Sequence, residues 1–155
     1  MVEVSLDIDA PAEAVYKLVS DLPRMGEWSP QTTRVVWRGG ATGPVLGAKF
    51  RGDNKHGMLR WSTFGTITAA EPGREFSFEV GFGPLPVARW SYRFESLPGG
   101  GCRVTESTED RRGRALKVGS KAIGMGDREA MNRETMQVTL ERLKTAAEAS
   151  TATRG

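Results

Sequence analysis

From Thr33 to Asp110 the chain alternates apolar and polar residues with period two, interrupted at short intervals by turn signals. No other feature constrains the fold as much, because this is the pattern of strands with one covered face. Arg34 to Arg38 reads as a strand, followed by the loop Gly39-Gly40-Ala41-Thr42-Gly43-Pro44. Ala48, Phe50 and Gly52 then alternate with Lys49, Arg51 and Asp53. A turn around Asn54 to Gly57 leads into a long strand from Met58 to Ala70, and Glu71-Pro72-Gly73-Arg74 is the next turn. Phe76, Phe78 and Val80 alternate with Ser77 and Glu79, and Gly83-Pro84-Leu85-Pro86 links to a hairpin that turns at Pro98-Gly99-Gly100-Gly101. Strands joined by connections this short pair antiparallel, since parallel neighbours need a long crossover. The result is a meander with one face against a core.

The turns also suggest the register. Pairing Ala69 with Phe76 sets Ile67 opposite Phe78 and places Trp61, Thr63, Gly65 and Ile67 on the covered face. Pairing Phe94 with Val104 sets Tyr92 opposite Glu106 and Trp90 opposite Thr108. A slip of one residue would reverse each assignment. Trp90, Tyr92 and Phe94 thus share one side of their strand, with Arg89, Ser91, Arg93 and Glu95 on the other.

The flanking segments are simpler. Val2, Val4, Leu6 and Ile8 alternate with polar residues and predict a first strand. Pro11 suits the first turn of a helix with Ala14, Val15, Leu18 and Val19 as its apolar stripe. Asp21 can cap a second, short helix through Met25, which Pro30 ends. At the other end Met136, Leu140, Leu143 and Ala147 define one face of a long helix, and traced backwards that face passes near Asn132, Glu129 and Met125. Residues 111–126, with four glycines, either extend that helix or form a lid, and the tail from Ser150 is expected to fray. One domain over residues 1–149 is the expected organisation.

Composition narrows the function classes. The 155 residues carry 22 basic and 19 acidic side chains, spread along the chain, which gives no reason to expect a nucleic-acid partner. Arg111, Arg112, Arg114, Lys117 and Lys121 read as a solvated loop. No leader or membrane-spanning run is visible, so a cytoplasmic protein without an integral membrane segment is expected, as a monomer or homodimer. Cys102 is the single cysteine and His56 the single histidine, the latter in the charged turn Asp53-Asn54-Lys55-His56-Gly57. Histidine catalysis and clustered metal ligands are therefore not expected. No glycine-rich loop joins a strand to a helix, so no nucleotide cofactor is expected, and the expectation for cofactors altogether is none.

The order strand, two short helices, six strands, long helix resembles the START-like, or SRPBCC, superfamily in its polyketide cyclase/dehydrase and lipid-transport branch. The resemblance is carried by "VSLDIDAPAEAVYKLVSDLPRMGEWSP", "GTITAAEPGREFSFEV", "RWSYRFESLPGGGCRVTE" and "TLERLKTAAE". It implies an α+β helix-grip fold, a curved seven-stranded antiparallel sheet wrapped around the C-terminal helix. It also implies a cavity between them for lipids, polyketides or other apolar molecules.

The covered face collects Trp61, Phe76, Phe78, Trp90, Tyr92 and Phe50, opposite a helix that offers Met136 and Leu140 but also Asn132 and Glu129. Such a face either packs as core or encloses a small hydrophobic molecule. Trp28 lies where the fold places its second helix over the cavity mouth, as a ligand contact or as packing. Glu106 points inward by its alternation with Val104, and with Tyr92 it is the candidate acid-base or ligand-orienting group. Three functions stay open: a carrier or sensor of a hydrophobic ligand, a cyclase or dehydratase using Glu106 or Tyr92, and a protein-interaction module.

Overall fold

The computed structural model describes residues 1–114, 117, 118 and 128–154, and side chains through residue 150. Strand β1 (Val2–Ile8) leads to helix α1 (Ala12–Ser20) and a 3-10 helix (Leu22–Glu27). Six strands follow: β2 (Thr32–Arg38), β3 (Lys49–His56), β4 (Leu59–Glu71), β5 (Glu75–Phe82), β6 (Leu85–Ser96) and β7 (Cys102–Asp110). Helix α2 (Arg128–Arg154) closes the chain. The region 111–126, for which the sequence suggests a helical extension or a lid, lies for the most part outside the described residues.

All seven strands form one antiparallel sheet in the order β1-β7-β6-β5-β4-β3-β2. The meander β2 to β7 is therefore continuous, and β1 joins it beside β7 through seven paired residues. This is the α+β arrangement expected from the alternation. Pro11 sits at the N-cap position of α1 in extended conformation, its carbonyl receiving the amides of Ala14 and Val15. Asp21 occupies the cap position of the next turn, but its side chain makes no cap bond, and the segment winds as a 3-10 helix rather than an α-helix.

The hairpin β6–β7 has the expected register, with Trp90 opposite Thr108, Tyr92 opposite Glu106 and Phe94 opposite Val104. Between β4 and β5 the expectation needs one correction. Ile67 does face Phe78, but the pairing shifts at Thr68, so Phe76 meets Ala70 and not Ala69. Alternation could not place this bulge, because Ala69 and Ala70 are chemically equivalent. Around it the Ile67 amide and carbonyl bond to Ala48 and Gly47 of the β2–β3 connection.

Two layers result, with the helices on one face of the sheet. Met136, Leu140, Leu143 and Ala147 of α2 are all buried, as the periodicity requires. Tyr16 of α1 meets Phe76 and Phe94 edge-on, with ring centroids 6.0 and 5.7 Å away, and fills the sheet face beneath α1. The opposite face of β2–β4 is cationic. Arg34, Arg38, Lys49, Arg51, Lys55 and Arg60 are exposed there, accompanied by Asp53. Residues dispersed in sequence are gathered because alternate positions of adjacent strands share a side. Arg38 stands opposite Lys49, and Lys55 opposite Arg60.

Candidate ligand-binding site

The aromatic stripe divides into two parts. Phe76 and Phe94 pack against Tyr16 as core, whereas Phe50, Trp61, Phe78, Trp90 and Tyr92 surround a cavity of about 100 Å³. Val35, Val80, Val87 and Ala88 complete its apolar wall, and Met25, Ser29, Gln31 and Thr32 border it from the 3-10 helix and the start of β2. Asn54 and Thr63 contribute from the sheet, Thr135 and Thr139 from α2. Met25, Ser29, Gln31, Asn54 and Trp61 are half-buried and mark a rim, while Tyr92, Glu106, Phe50, Phe78 and Thr139 are buried at depth.

Phe50 shows how the sequence builds one wall. It lies directly opposite Gly65, whose missing side chain leaves room for the ring. Trp37 and Phe78 flank it edge-on, at 6.3 and 5.4 Å between centroids.

Glu106 is the polar centre. It is 2% exposed, on a strand that pairs with Tyr92 on one side and Val4 on the other. The Tyr92 hydroxyl donates to Glu106 Oε1 at 2.8 Å, and Oε2 is buried without a partner among the described residues. Burial pushes the carboxyl up to about 8, against the smaller opposing effect of the Tyr92 hydrogen bond. Burial likewise raises the Tyr92 phenol well above its ordinary value, and the charge of Glu106 adds to this. At neutral pH the pair is thus a carboxylic acid and a phenol, both uncharged.

The other polar groups at the cavity are already engaged or weakly held. Thr139 Oγ1 donates to the Thr135 carbonyl one turn earlier at 2.8 Å. Thr32 Oγ1 donates to Ser29 Oγ at 3.1 Å. The Asn54 amide makes only long contacts, 3.4 Å to the Gly52 carbonyl and 3.5 Å to Thr63 Oγ1.

Of the residues singled out from sequence, Phe50, Trp61, Thr63, Phe78, Trp90, Tyr92 and Glu106 come together around this space. The others do not line it. Trp28 is buried in the core, with the Arg24 guanidinium 5.2 Å from its ring centre. Phe76 and Met136 are fully buried, Glu129 is exposed, and Asn132 is half-buried away from the lining. The helix contributes Thr135 and Thr139 instead, one residue before Met136 and Leu140. Each step along a helix turns about 100°, so the column that meets the cavity is adjacent to the apolar column traced back to Asn132 and Glu129. The spacing of two threonines, i and i+4, was the available signal. His56 is exposed beside the Gly57-Met58 turn and lies off the cavity.

A family model described as polyketide cyclase / dehydrase and lipid transport matches residues 1–148. The chain belongs to this family. Among solved structures, the di-domain ARO/CYC StfQ of the steffimycin biosynthetic pathway aligns with 99% of this chain, at a TM-score of 0.68 and 13% identity. The match covers 46% of StfQ, so this chain spans about half that protein's length. TTHA0849 from Thermus thermophilus aligns over 96% of this chain and 97% of its own, with a TM-score of 0.66 and 18% identity. These two likenesses establish the helix-grip fold. The Polyketide_cyc-like protein Cgl2372 from Corynebacterium glutamicum is 29% identical over 93% of this chain and 89% of its own, with a TM-score of 0.56. No curated protein matches the sequence. No helix among the described residues is long and apolar enough to cross a membrane.

Proposed function

We propose that this member of the polyketide cyclase / dehydrase and lipid transport family binds a small hydrophobic ligand in the cavity between sheet and C-terminal helix, as a carrier or sensor. The observation that carries this reading is an apolar cavity with one buried acid, Glu106, whose Oε2 has no partner among the described residues. A buried polar atom left unpaired costs about 1 to 3 kcal/mol, and a ligand polar group would recover that. The size sets a limit. An engineered cavity of about 150 Å³ holds benzene, so about 100 Å³ suits a single ring or one end of a longer molecule.

Benzene titrated into the protein tests the reading through the emission of Trp61 and Trp90, both on the cavity wall. Saturable one-to-one binding is expected, and it should vanish in Ala88→Phe, whose ring would occupy the space. Absence of saturable binding, or binding untouched by Ala88→Phe, would overturn the proposal. A second reading is favoured by the carboxyl near 8, which suits proton transfer at ambient pH. In that case Glu106 would shuttle a proton in a cyclisation or dehydration, and Glu106→Gln would keep ligand affinity while losing turnover.

A further inference from the structure

Resting on the cavity being a ligand site, we infer that its occupant is an uncharged molecule presenting a carbonyl or similar hydrogen-bond acceptor to Glu106, and that carboxylate ligands are rejected. The geometry assigns each oxygen a task. Oε1 already accepts the Tyr92 hydroxyl, which leaves Oε2 as the oxygen open to a further bond. In the neutral acid, the proton on Oε2 is the donor that a ligand acceptor would meet.

The charges of the described lining residues disfavour the alternatives. Among the described residues that line the cavity, Glu106 and Tyr92 are the titratable ones, and none is Lys, Arg or His. The groups from the other elements are amides and hydroxyls: Gln31 before β2, Asn54 of β3, Thr63 of β4, Thr135 and Thr139 of α2. A ligand carboxylate would lose its hydration with no cation among the described lining residues to replace it and would stand beside an acid that itself resists ionisation. An amine could take the Glu106 proton and form an ammonium–carboxylate pair. Its other N–H groups would then face an apolar wall of Phe78, Val80, Val87 and Trp90. A ketone or lactone needs one donor and no counter-charge, which is what the deep end offers.

Four probes of similar shape separate these cases: cyclohexanone, methylcyclohexane, cyclohexylamine and cyclohexanecarboxylate, each titrated calorimetrically at pH 6. Cyclohexanone should bind at least about tenfold more tightly than methylcyclohexane, the equivalent of one well-placed hydrogen bond. The amine should bind more weakly than the ketone, and the carboxylate should give no heat. Repeating the titration at pH 10, where Glu106 is ionised, should abolish the preference for the ketone. Glu106→Gln, which keeps a donor at the same place, should retain the preference at both pH values. Glu106→Met should lose it at both, with circular dichroism confirming that the variant is folded. Equal affinity for ketone and hydrocarbon, or tighter binding of the amine or the carboxylate, would overturn the inference and leave the cavity reading standing. Failure of all four probes would overturn both.

Discussion

The Tyr92 hydroxyl reaches Glu106 Oε1 at 2.8 Å across the β6–β7 ladder, with both side chains buried. Removing one partner strands the other, whereas replacing both by apolar groups of similar shape can be nearly neutral. Tyr92→Phe is therefore expected to cost about 1 to 3 kcal/mol in the native chain but little in a Glu106→Met background. Urea denaturation of the four proteins in the cycle measures this coupling. Equal cost of Tyr92→Phe in both backgrounds would show that the hydroxyl is not held by Glu106.

The same carboxyl predicts how stability depends on pH. Its folded-state value, about 8, lies above the ordinary 4.5, so the native state holds its proton through a range where the unfolded chain has lost it. The associated stability is fully present below 4.5 and is lost as the pH rises to about 8, at about 1.4 kcal/mol per pH unit. Asp7, Asp53 and Asp110 are held below 3.8, by hydrogen bonds from Arg103, Ser62 and Arg112 respectively. Their contributions change at lower pH and do not overlap this window. Glu106→Gln should flatten the slope between pH 5 and 8 and should be more stable than the native chain at pH 8. Parallel pH–stability curves for the two proteins would mean that Glu106 ionises normally.

The pair was legible in sequence because two regularities agree on it. Period-two alternation turns Glu106 inward beside Val104, and the turn at Pro98–Gly101 fixes its partner as Tyr92. The cavity itself was half legible. Strand residues such as Trp61, Phe78 and Trp90 follow from alternation, but Thr135 and Thr139 required knowing which column of α2 is left over once Met136 and Leu140 enter the core. The cationic face was hidden for a different reason. Arg34, Lys49 and Arg60 are far apart in the chain and come onto one side of the sheet only through the pairing of β2, β3 and β4.

That face gives a prediction about surface charge. Lys55 and Arg60 stand directly opposite each other next to the β3–β4 turn, and like charges so placed are destabilising. Lys55→Glu converts the repulsion into an opposite-charge pair and should stabilise the domain by about 0.2 to 1 kcal/mol. The gain should shrink in 1 M salt, where the screening length falls to about 3 Å. Thermal melts of both proteins at low and high salt test this, and a gain indifferent to salt would assign it to something other than charge.

Gly65 ties packing to the cavity wall. A methyl group at this position would fall within the ring of its cross-strand neighbour Phe50, which Trp37 and Phe78 flank edge-on. With rings on both sides, Phe50 has little room to swing aside, so Gly65→Ala should cost about 1 to 3 kcal/mol by overpacking. The displaced ring also borders the cavity, so the same variant should weaken benzene binding. Phe50→Leu removes the obstacle, and the double variant Phe50→Leu, Gly65→Ala should be more stable than the sum of the single effects. Denaturation midpoints for the four proteins, with a benzene titration of each, separate the two consequences. If Gly65→Ala is as stable as the parent and binds benzene equally well, Phe50 is free to move away and this wall does not set the shape of the cavity.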